Sequence, residues 1–139
     1  VTREPIYAAL FGLVSPIAGL ITTSRKLKHW SDVPASQRPA LFQAQVSETT
    51  GQFTGRPTVW TLNLKLYVYV STKGAASPGE VINPILDAIT AKFNGALPGS
   101  PQTLGGMVHW ARISGSIETS EGTLGDDEVA IIPVSILTL

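Results

Sequence analysis

Along residues 57–72, PTVWTLNLKLYVYVST, the even positions Trp60, Leu62, Leu64, Leu66, Val68 and Val70 are all apolar, while Thr61, Asn63, Lys65, Tyr67 and Tyr69 occupy odd ones. A period of two is the signature of a strand with one buried face, and this run predicts a strand of roughly 12 to 14 residues, ~40 Å at ~3.3 Å each. At that length part of the strand is expected to extend past the compact body. The same period recurs in LFQAQVSE, where Phe42, Ala44 and Val46 share one side and Gln43, Gln45 and Ser47 the other. Near the C-terminus it places Met107, His109, Ala111, Ile113 and Ile117 on one face of a strand, and Ala130, Ile132, Val134 and Ile136 on one face of the last.

Two segments carry the helical period instead. In EPIYAALFGLV, the residues Ile6, Ala9, Leu10, Leu13 and Val14 recur at helical spacing, and Tyr7 and Phe11 widen the stripe into a nearly all-buried helix. Pro5 sits early, where its missing N–H is harmless. The second stripe is Val81, Ile82, Ile85, Leu86, Ile89 and Phe93. Ser77 and Glu80 form a capping-box pattern ahead of it, although Pro84 also fits a start with Asn83 as cap. Between the helical and the alternating segments, Leu20 to Trp30 is expected to be a strand that carries the basic run SRKLKHW. Residues 47–57, SETTGQFTGRP, are too long for a tight hairpin and rich in Gly and Thr, so they are expected to project as an arm.

The order is therefore helix, three strands, helix, two strands. It predicts a single domain over 1–139: a two-layer α+β fold with a mainly antiparallel sheet of about five strands packed by two helices. A chain of 139 residues is long enough to bury its own core, and with no Cys it has neither disulfides nor thiolate sites. Val1–Pro5 lacks the basic, apolar pattern of a signal peptide, and no apolar run reaches the ~18 residues of a membrane span. A non-secreted chain with no membrane partner is expected.

Ten basic residues balance ten acidic ones, yet residues 1–73 hold eight against three and residues 74–139 two against seven, a net +5 and −5. Such a split suits either internal pairing of the halves or opposite faces that neighbouring copies match. Chemistry-bearing residues are sparse. His29 and His109 are single histidines within strand-like patterns, and the acidic run Glu121, Asp126, Asp127, Glu128 lacks the ligand alternation of a calcium loop. GALPGSPQTLGG lacks the Gly-Lys-Ser/Thr ending of a phosphate loop, and no serine sits in a nucleophile elbow. No catalytic residue, cofactor or metal is expected, and the acidic run reads as a solvated hairpin. Trp30, Trp60 and Trp110 read as core or sheet aromatics.

Four segments in this order, REPIYAALFGLV, SRKLKHWSDVP, RPALFQAQ and NPILDAITAKF, resemble the small tail terminator or tail completion proteins of long-tailed bacteriophages. The resemblance implies a structural virion protein, not an enzyme, made in the host cytoplasm and built into the tail or neck. Its subunits form a ring, usually a homohexamer, on the head-proximal end of the tail tube. That ring stops tube polymerisation and offers the docking surface for the head–tail connector. A neighbouring neck or tube protein, and a small-molecule or peptide-binding α+β module, are the competing readings. Charge and exposed apolar positions nominate Arg25, Lys26, Lys28, Phe53, Arg56, Glu121, Asp126 and Asp127 as interface residues. The basic run has three readings: an acidic neighbour in the assembly, plain solvation, or sequence-independent contact with DNA threading the ring.

Overall fold

The computed structural model describes all 139 residues. Helix α1 spans Arg3–Val14 and buries Ile6, Tyr7, Leu10 and Val14, residues three or four apart on one face. Ala8 and Gly12 lie on the solvent side, so the helix is one-sided rather than nearly all buried. Strand β1 is only Thr22–Ser24. The Ser24 hydroxyl accepts the Lys26 N–H at 2.9 Å and bends the chain off the sheet, so the basic run is not a strand as its sequence suggested. After short 3-10 turns at Trp30–Asp32 and Ala35–Gln37, the chain enters β2, Ala40–Gly51, which is antiparallel to β3, Val59–Ser71.

The projecting arm is accordingly shorter than the sequence suggested. Residues 47–51 pair with 59–63 as a regular hairpin, leaving 52–58 as its tip. Nor does β3 run far past the body, because Thr61 to Ser71 all pair with β6, Asp127–Thr138. Helix α2, Pro78–Lys92, begins at Pro78 with no side-chain cap from Ser77, so the capping box does not form. Pro84 lies inside it. Pro84 and Glu80 are both exposed, so water can serve the Glu80 carbonyl that the missing N–H leaves unpaired.

Strands β4, Val108–Ile113, and β5, Glu118–Thr119, both pair with β6 and complete a six-stranded sheet in the order β1-β2-β3-β6-β4. Only the β1–β2 pair is parallel. The second piece, β5, is absent from the sequence reading, and Pro133 accounts for the break. In a strand the N–H and C=O of one residue point the same way, and the Pro133 carbonyl accepts the Ser114 N–H at 3.0 Å. The absent Pro133 N–H therefore faces the gap between β4 and β5, where the ladder stops. A bulge between Val108 and Trp110 also shifts the alternation of β4, so Val108 and Ala111 face the core while His109 and Met107 are exposed.

Both helices pack on one sheet face. Leu62, Leu64, Leu66, Val68 and Val70 of β3 join Ala130, Ile132, Val134 and Ile136 of β6 in a main core of 21 buried residues. In β2 the core side is Leu41 and Gln43, the opposite parity to the one expected. Phe42 and Ala40 instead meet Val33 and Tyr69 in a second, four-residue core on the far side of the sheet. That small core holds down the segment that follows the basic run.

Candidate functional site

One sheet face is thus sealed by helices and the other is only partly covered. Strand pairing fixes what lies on that second face and at each end of it. At the hairpin end sit the 52–58 tip and the start of α1. At the opposite end sit Ser71, the turn 120–126 and the start of α2, because Ser71 pairs with Asp127 and Thr72 N–H donates to Asp126 O at 2.7 Å.

The hairpin end is braced by Glu48, which the β2 bulge after Gln45 turns toward the helices. Glu48 accepts from Arg3 Nε at 2.7 Å and from the Tyr7 hydroxyl at 3.3 Å, and the Arg3 guanidinium lies over the Trp60 ring at 4.7 Å. Burial first, and then the Glu48 charge, push the Tyr7 phenol up to about 12. The tip beyond this brace presents Phe53, 69 % exposed, and Arg56, also exposed.

At the turn end, Arg38 is 6 % exposed and pairs with Asp127. Its Nε donates to Val33 O at 2.9 Å, Nη1 to Val70 O at 3.2 Å, and Nη2 to Trp30 O. One guanidinium thereby fastens the 30–33 segment across the end of β3 and β6. Sequence reasoning passed over Arg38, and no local pattern marks it. Glu128 belongs to the acidic run expected to be a solvated hairpin, but it is 1 % exposed, and its Oε2 has no hydrogen-bond partner. Burial, reinforced by the Glu121 charge, raises its pKa. Extending the even-numbered alternation of the last strand back from Ala130 would have placed it on the core face.

On the open face the basic run crosses over β3 and β6. The Tyr69 hydroxyl donates to Lys28 O at 2.6 Å, and burial raises the Tyr69 pKa, with Tyr67 adding to the rise and Arg38 opposing it. Between run and strands lies a groove of about 380 Å³ lined by Leu27, Lys28, His29, Trp30, Tyr67, Tyr69, Val129 and Ile131. No carboxylate lines it. Toward the hairpin the same face becomes polar, with Ser47, Asn63 and Ser135 joined by hydrogen bonds of 3.3 and 2.8 Å.

The nominated residues fall in three places. Arg25, Lys26 and Lys28 lie on the run, Phe53 and Arg56 on the hairpin tip, and Glu121, Asp126 and Asp127 at the opposite end. Two of them are occupied within the chain, Arg25 by Glu4 and Asp127 by Arg38. Lys26, Lys28, Arg56, Glu121 and Asp126 form no intrachain ion pair. Chemistry at the histidines is modest: His29 Nδ1 bonds the Ser31 hydroxyl at 2.6 Å, and His109 stands exposed at the β4 bulge. No group of three or more His, Cys, Asp or Glu side chains is arranged to hold a metal ion, and no helix is long and apolar enough to cross a membrane. Comparison with protein-family models and with curated proteins gives no match for this chain.

Proposed function

We propose that this chain is a structural subunit that assembles into a ring, a hexamer in the resemblance stated above, and caps the head-proximal end of a phage tail tube. The observation that carries the reading is the unlikeness of the two ends of the sheet. One end presents an exposed aromatic with an unpaired arginine, and the other presents unpaired carboxylates at a turn. A subunit with unlike ends makes heterologous contacts, which close into rings when the rotation allows. A terminator further needs one ring face that fits the tube and another that refuses a further ring.

In this reading the chain performs no reaction. Its partners are copies of itself, the tail tube protein and the head–tail connector, and DNA threading the lumen is a sequence-independent contact. It resides in the virion, after assembly in the host cytoplasm. The open-face groove favours a second reading, a peptide or small-molecule binding module. Light scattering at several concentrations, with electron microscopy of the same samples, separates the two. Closed rings support the cap, and a protomer at every concentration, still solitary when tail tubes are added, supports the module.

A further inference from the structure

We infer that the open-face groove receives the acidic turn 121–126 of a second copy of this chain, with Leu124 entering between the basic run and strands β3 and β6. This deepens the ring reading and rests on it, since it names the contact that joins neighbours.

Two features point to that occupant. The groove offers Leu27, Trp30, Tyr67, Val129 and Ile131 as an apolar floor and walls, with Lys28 in its lining and exposed Lys26 beside it. Neither lysine has an internal carboxylate, and none lines the groove, so the site is short of negative charge.

The turn supplies the complement. Glu121 and Asp126 are exposed and without internal cations, and they flank Leu124, a partly buried apolar side chain. Gly122 and Gly125 hold φ of +77° and +66°, a conformation that glycine adopts without strain. A Cβ at either position would meet nothing within 4 Å, so both glycines face open space. The turn is also pre-shaped, because Thr123 N–H donates to Ser120 O at 3.0 Å and Asp127 N–H to Leu124 O at 3.3 Å. A rigid knob loses little freedom on docking. Burial of Leu124 against the aromatic floor supplies affinity, and the two carboxylates beside the lysines set orientation and encounter rate.

Phe53 on the hairpin tip is among the most exposed apolar side chains of the chain. Phe53 is followed three residues later by Arg56, which would approach Lys26 and Lys28 with like charge. The tip is therefore the poorer occupant and is left for a different surface.

A charge exchange tests the inference. One variant carries Lys26→Glu with Lys28→Glu, and the other Glu121→Lys with Asp126→Lys. All four positions are exposed, so both variants should keep the wild-type circular dichroism spectrum. Each alone is expected to self-associate about tenfold or more weakly than wild type, and an equimolar mixture to recover association as an alternating assembly. Leu124→Ser, which leaves every charge in place, should weaken association without rescue by either charge variant. Rings that persist in both charge variants would overturn this contact and leave the cap reading intact. A wild type that neither associates nor caps tubes would overturn both. Retention of a short single-stranded oligonucleotide by wild type at physiological salt, lost in the lysine variant and without self-association, would give the groove to nucleic acid and overturn the inference.

Discussion

The two faces of the sheet are built from the same strands and follow different rules. Under the helices, every second residue of β6 is buried, and the facing positions of β3 are Leu, Leu, Leu, Val and Val. On the open face the intervening residues Tyr67, Val129, Ile131 and Leu137 are also largely apolar, yet each remains half-exposed. The first face is explained by folding alone. An apolar patch left partly open on the second face, with a cationic segment laid across it, is more than solvation requires and marks the surface where partners are expected.

The sharpest way to break this comparison is at the clasp that keeps the crossing segment in place. Arg38→Ala leaves three buried or half-buried carbonyls and Asp127 without their donor, so it should destabilise the fold by about 3–5 kcal/mol in denaturant titration. A loss under about 1 kcal/mol would mean that the segment is held by its apolar contacts instead.

Next comes a pair of neighbours on opposite faces of β6. Ile132→Ala should cost about 2–5 kcal/mol because Ile132 is fully buried, whereas Ile131→Ala should cost about 1 kcal/mol or less and act mainly on association. Equal losses would show that the open face is core.

A smaller effect of opposite sign is expected at Glu128. Its folded pKa is raised, so its contribution to stability is fully present below the ordinary Glu range and is lost as pH rises through the folded value. Glu128→Gln should therefore be more stable than wild type at neutral pH, and the difference should shrink as the pH falls to 4. A gap that does not change with pH would point to packing rather than charge.

Least of all should the fold notice Phe53→Ala, with a stability change within about 0.5 kcal/mol. Hydrogen exchange at 52–58 should be fast in the free protomer and slow on a tube. Unfolding of this variant would make Phe53 part of the core and remove the tip as a docking element.

The legibility of the sequence divides along the same line. Where a strand buries one face, as in β3 and β6, the period of two names its core residues, and the α2 stripe does the same at helical spacing. Strand β2 defeats that logic because its first four residues are buried on both faces, and a bulge then resets its parity. The β4 bulge hides Val108 and Ala111 in the same way. The basic run reads as a strand because the β-branched Ile21, Thr22 and Thr23 lead into it, while a single serine turn lifts it off the sheet. As for the site, its charged residues were visible, but the groove joins residues 27–30, 67–69 and 129–131. No local period brings segments so distant in sequence together.

The central claim is that this chain ends a polymer rather than extending one, and the length distribution of tail tubes assembled with and without it tests that claim most directly. Electron microscopy should show tubes of regulated length, each with a ring at one end, when the protein is supplied during assembly, and no tubes from the protein alone. Long homopolymeric tubes from the pure chain, or tubes whose lengths and ends are indifferent to its presence, would contradict the account.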